Sequence, residues 1–125
     1  MSMRRRFAAF SFATLLLAAT TSDSATGLKM EVTPTISRAP AVVTVRIMLE
    51  PRADDRTLYV VAESASFYRA SEVDLDGERS EPMNLFEFRG LPTGMYHLTA
   101  FVRDSHGTRA TAWRIARVEP GFGSN

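Results

Sequence analysis

Cysteine is absent from this chain of 125 residues, and that absence excludes disulfides, a thiolate metal site and the lipidated cysteine of a bacterial lipoprotein. Histidine occurs twice, as His97 and His106. Neither belongs to a His-Glu-x-x-His helix, no serine lies in a Gly-x-Ser-x-Gly elbow, and neither imidazole has a nucleophile or orienting partner that the sequence identifies. No acid–base pair is visible either. The chain therefore reads as not an enzyme, with no catalytic residue, no cofactor and no metal assigned. An excess of one charge is also missing: the formal net charge is +1, and from Thr26 onward 12 Lys and Arg stand against 13 Asp and Glu. Because the arginines are interspersed with acids along every segment, no basic face is available and nucleic acid is excluded as a partner. Long apolar runs are lacking too. The longest covers residues 7–19, 13 positions, whereas a bilayer takes about 20, so no membrane span is expected in the mature chain.

That run belongs to a recognisable pattern. Arg4, Arg5 and Arg6 precede it, and the small polar residues 20–25 follow, which is the order of a secretory signal peptide. The expected organisation is a signal peptide at residues 1–25, cleaved somewhere in 19–25, then one domain at 26–118 and a flexible tail at 119–125. The three arginines also fit the twin-arginine pattern, but nothing downstream suggests a cofactor loaded before export, which favours the general secretory route. The protein is expected to be exported, periplasmic or extracellular. With 45% apolar and 10% aromatic residues, the remainder is enough for a packed core.

From Leu28 onward the apolar residues recur with period two, and no apolar set recurs at helical spacing. Residues 29–33 form a first strand stopped by Pro34, and residues 37–40 read as a loop. Residues 41–50 alternate cleanly, with Val43, Val45, Ile47 and Leu49 on the core side. Residues 56–63 place Leu58, Val60 and Ala62 inward, and residues 67–76 set Val73 and Leu75 against outward acids, the pattern of a protected edge. Asp76-Gly77 is a tight turn. Phe86 and Phe88 point inward from the next strand, Tyr96, Leu98, Ala100 and Val102 from the one after it, and Ala110, Ala112 and Ala116 from the last, residues 108–118. Seven strands with turn chemistry between them predict an all-β antiparallel sandwich without a disulfide.

Between the fifth and sixth of these strands runs Gly90-Leu91-Pro92-Thr93-Gly94-Met95-Tyr96, and a later turn is Asp104-Ser105-His106-Gly107. The stretch 86–107 resembles the corresponding region of bacterial extracytoplasmic immunoglobulin-like modules, including fibronectin type III and PKD-type repeats. The resemblance implies that Gly90, Leu91, Pro92 and Gly94 build a structural corner between two sheets, and that the Tyr96 hydroxyl bonds backbone a few residues upstream. Gly94 would supply the backbone freedom. The same turn occurs in transthyretin-like and collagen-adhesin B-type sandwiches. Where antibody-type domains carry their second cysteine this chain has Leu98, and Leu58 and Val60 stand where those domains carry a strand tryptophan.

Candidate binding residues are few. Asp74-Leu75-Asp76-Gly77-Glu78 resembles the middle of a calcium loop, but the position for a bidentate Glu is Met83. Asp54, Asp55 and Asp104 are loop carboxylates whose meeting the sequence leaves open. Tyr59, Phe67, Tyr68, Phe101 and Trp113 include aromatics placed opposite the core. Of these, Tyr68 and Trp113, with Arg69 and Arg114 beside them, are the best candidates for a binding surface. The expected function is an exported immunoglobulin-like domain that binds a protein partner in the cell envelope or secreted beside it, and the alternative is a carbohydrate-binding module using exposed aromatics.

Overall fold

The structure, a computed structural model, describes residues 27–122. The expected signal peptide and the last three residues of the expected tail lie outside the described residues. Eight strands form: β1 (Leu28–Thr33), β2 (Ile36–Arg38), β3 (Ala41–Leu49), β4 (Asp55–Ser64), β5 (Phe67–Asp74), β6 (Met83–Leu91), β7 (Gly94–Asp104) and β8 (Gly107–Glu119). They make a three-stranded sheet, β1-β3-β6, packed on a five-stranded sheet, β2-β8-β7-β4-β5. The chain is an all-β sandwich.

The eight strands agree with the expected count of about seven, the additional one being β2. Its three residues lie between Pro34 and Pro40, too few for alternation to show. They pair parallel with residues 117–119 of β8, so the sheet is mixed at that edge rather than purely antiparallel. A single 3-10 turn, Gly77–Arg79, replaces the tight turn expected at Asp76-Gly77. Gly77 has φ of 55°, and a Cβ there would meet the Ala53 carbonyl oxygen at 2.7 Å, so only glycine fits.

Alternation decides which side of each strand is buried. Val43, Val45 and Ile47 of β3 face Leu58, Val60 and Ala62 of β4 and the row Tyr96, Leu98, Ala100 and Val102 of β7 across a closed core. Ala110, Ala112 and Ala116 complete it from β8. The small side chains on β8 let the sheets approach, and each buried Val or Leu contributes about 1.5–3 kcal/mol by leaving water.

Between β6 and β7 the chain passes from one sheet to the other. The buried Tyr96 hydroxyl donates to the Pro92 carbonyl oxygen at 2.7 Å, and Phe67 meets its ring edge-on at 5.8 Å. The left-handed residue of this turn is Gly90, with φ of 68°, and not Gly94. Gly94 is confined by space instead, since a Cβ there would lie 3.2 Å from the Ser64 Cβ.

Candidate functional site

Strand register gathers the aromatic residues. On the outer face of the large sheet, Ile115, His97, Glu63 and Tyr68 form one row across β8, β7, β4 and β5. Trp113, Thr99, Val61 and Ala70 form the next, and Thr111, Phe101, Tyr59 and Glu72 the third. Tyr59 and Phe101 stack at 4.9 Å with their planes 17° apart, and Trp113 lies 6.4 Å from the His97 ring. Tyr68 is 64% exposed, Trp113 59% and Met95 51%. Of the aromatics weighed from sequence, Tyr59, Tyr68, Phe101 and Trp113 share this face. Phe67 does not, since it turns inward onto Tyr96.

Arg69 and Arg114 lie elsewhere. Each occupies the core-facing phase of a strand at or near a sheet edge, opposite Ala62 and Leu98 respectively. Arg69 of β5 reaches across to the other sheet and donates to the Arg89 carbonyl oxygen of β6 at 2.9 Å, passing 5.0 Å from the Phe67 ring. Arg114 lies on β8 beyond the three residues that β2 covers and donates to the Trp113 carbonyl oxygen at 2.6 Å. A charge pointing inward from an edge strand blocks the approach of a further strand. These two arginines therefore close the flanks of the sandwich.

One end of the sandwich gathers the loop carboxylates. Asp54, Asp104 and His106 bring one ligand atom each to within 4.8 Å of one another. The Ser105 N–H and hydroxyl both donate to Asp54 Oδ2, the N–H at 3.1 Å, and the His106 N–H donates to Asp104 Oδ1 at 2.8 Å. The Ser105 bonds hold the Asp54 carboxyl below its ordinary pKa, with Arg56 and His106 adding to the effect. These bonds close the β7–β8 turn onto the β3–β4 loop. Asp55 departs from this group. It is buried and takes two bonds from Arg109, Nε to Oδ1 at 2.6 Å and Nη2 to Oδ2 at 2.8 Å, with the Arg52 N–H donating at 2.9 Å. Asp54 lies in the turn before β4 and Asp55 is the first residue of that strand, so one becomes surface and the other core.

Clefts lie away from the aromatic face as well. One, about 430 Å³, lies between the β3–β4 loop and the 3-10 turn and includes Ala53, Leu75, Asp76 and Glu78. Another, about 470 Å³, is lined by Leu28, Met48, Pro82 and Met83 at one end of the small sheet. No helix of the described residues is long and apolar enough to cross a membrane.

No family profile matches the sequence, and no curated protein matches it. The likeness to fibronectin type III modules thus has no counterpart at the level of sequence. Solved structures do match. The superoxide reductase (neelaredoxin) of Ignicoccus hospitalis superposes with a TM-score of 0.55 at 18% identity, over 74% of this chain and 80% of that one. A point variant of it gives 0.58 at 19%, over 78% and 85%. The reading as not an enzyme is corrected by this finding: the fold is one that an enzyme uses. A motif search sees only groups at fixed spacing along the chain, whereas a sandwich can converge groups from separate loops. Reduction of superoxide is one-electron chemistry, which calls for a redox-active centre, and such metals sit on imidazole or thiolate ligands. This chain has no cysteine. His97 lies near the start of β7 and His106 in the turn beyond its far end, so the strand from His97 to Asp104 separates them by roughly 20 Å at about 3.3 Å per residue, and the chain's residues do not fit a centre of that kind. At this identity the likeness is one of fold: the chain is similar to superoxide reductases in its sandwich.

Proposed function

We propose that this chain is an exported, immunoglobulin-like binding module that engages a protein partner in the cell envelope, or one secreted beside it, through the outer face of its five-stranded sheet. The observation that carries the reading is the contiguous face of Trp113, Ile115, Met95, Tyr68, Tyr59 and Phe101, bounded by two flanks that Arg69 and Arg114 close. Exposed aromatic and aliphatic residues in one patch, rimmed by charge, have the composition of a protein interface. The strand order supports the immunoglobulin-like assignment, since the first strand divides into β1 and β2 and so edges both sheets. Export rests on the three arginines and the apolar run of residues 7–19.

A protein is favoured over a sugar because the face is broad and neither cleft opens on it, whereas small ligands are held in concave sites. A photo-reactive residue placed at Thr111 should cross-link to a protein in the native envelope, and one placed at Thr44 on the small sheet should not. Loss of the Thr111 adduct in Trp113→Ala is expected. Equal adducts from both faces, or binding of the purified chain to a glycan panel that Trp113→Ala abolishes, would sink the protein-face reading.

A further inference from the structure

We propose that the occupant of this face is a second copy of the chain, an inference that rests on the binding-face reading above. The outer face is divided by charge. Arg103 lies on β7, whereas Glu63, Glu72 and Asp74 lie on β4 and β5, and Arg117 of β8 is paired with Glu119 of its own strand at 3.8 Å. Arg103 shares a row with Thr57 and Asp74. Among the described residues none of Arg103, Glu63, Glu72 and Asp74 belongs to an ion pair.

A two-fold axis in the plane of the face, parallel to the strands and between β7 and β4, lays β8 of one copy over β5 of the other and β7 over β4. Three complementarities follow from the register. Arg103 approaches Asp74 and Thr57 of the second copy. Trp113, the bulkiest side chain of its row, comes over Ala70, the smallest. The Tyr59 and Phe101 stack meets its own image. An axis across the strands instead would set Arg103 against Met95 and leave the carboxylates unmatched. Aligned sheets cross at about 30°, so rows meet as neighbourhoods rather than atom to atom. Four strands at about 4.8 Å and eight residue steps at about 3.3 Å give a face of roughly 500 Å² in projection. Both copies together reach the ~1,000 Å² that a specific contact needs. The interface is isologous, so each charge pair occurs twice.

Sedimentation velocity of the purified protein, from micromolar to millimolar concentration, tests this. The mass should double with concentration. Arg103→Glu alone and Asp74→Arg alone should each weaken self-association by about tenfold or more, because each places like charges together at both contacts. An equimolar mixture of the two variants should associate again, since the mixed dimer has one reversed pair and one original pair. Recovery in the mixture also shows that both variants are folded. A mass that stays monomeric throughout, or reversal variants that associate like the parent, would overturn the second copy as occupant. A monomer that still yields a Trp113-dependent adduct to another envelope protein overturns this inference alone, and absence of both overturns the binding face with it.

Discussion

Asp55→Asn tests the energetics of the sandwich at its most concentrated point. The Asp55 side chain is fully buried and the Arg109 side chain is 9% accessible. Two parallel hydrogen bonds join them, and Arg109 Nη2 also donates to the Glu50 carbonyl oxygen at 3.3 Å. One side chain of β8 thereby holds both ends of the β3–β4 loop, Glu50 just after β3 and Asp55 at the start of β4. Removing one partner of a buried pair costs about 3–5 kcal/mol, because the other charge is left uncompensated. Asparagine keeps one acceptor oxygen, which places the expected loss near the low end, about 3 kcal/mol. For a domain of this size that lowers Tm by roughly 12–24 °C, readable by thermal melts or urea titration. Replacing both residues by leucine should recover most of the loss, since apolar replacement of a whole buried pair is near neutral. An Asp55→Asn protein within about 1 kcal/mol of the parent would refute the assignment of the pair as a buried staple.

The same pair sets the acid limit. Burial alone would raise the Asp55 pKa, but the Arg109 hydrogen bonds, the Arg52 N–H and the Arg109 charge together outweigh it and hold the carboxyl below its ordinary value. A carboxyl held low is protonated more readily in the unfolded chain. Its contribution is fully present above the ordinary aspartate pKa of about 3.9 and is lost as pH falls through the folded value. Asp54 adds to the same limb, since its carboxyl is also held low. Arg109 is held above its already high value by the Asp55 bond, so its contribution persists until strongly alkaline pH. Stability should therefore fall below about pH 4, and that fall should be shallower in Asp55→Asn.

Three further outcomes are expected. Tyr96→Phe should lower stability by about 1–2 kcal/mol, the loss of a buried hydroxyl bond, measured by urea unfolding; an unchanged midpoint would remove the Pro92 contact as a source of stability. Gly90→Ala should cost about 1 kcal/mol through its left-handed backbone alone, because nothing lies within 4 Å of the added carbon, whereas Gly77→Ala should cost more because the Ala53 carbonyl must move; the reverse order in melting temperature would contradict both geometries. Trp113→Ala should leave stability within about 0.5 kcal/mol, as expected for an exposed site, and a large loss would make the ring part of the fold rather than of a binding surface.

Period-two alternation made β3, β4 and β7 legible because each has one face in a dry core, so Val43, Leu58 and Leu98 could be placed from spacing alone. Alternation gives a side but not a neighbour. That Tyr59 of β4 stacks on Phe101 of β7 depends on register across 42 residues of chain, which no local pattern encodes. Arg69 and Arg114 fail for a related reason. Their phase put them inward, but a charged residue in a core phase makes sense only where the strand borders an open seam, and strand order is a property of the whole sheet. Asp54 and Asp55 were legible as loop carboxylates, while the choice of which one is buried lies with Arg109, a partner 54 positions from Asp55.

The two outer faces differ in how their charges are used. On the small sheet, Arg46 pairs with Glu31 at 3.4 Å and Arg89 with Glu87 at 2.8 Å, so these two arginines are satisfied within the sheet, and Arg46 also covers the Met83 sulfur. Such pairs contribute little to stability, about 0–1 kcal/mol each. On the large sheet Arg103 and the carboxylates of Glu63, Glu72 and Asp74 stand apart from one another on either side of an aromatic stripe. Charges so separated gain nothing within the monomer and gain a partner only when a second surface arrives, as the proposed pairing of two copies through this face requires.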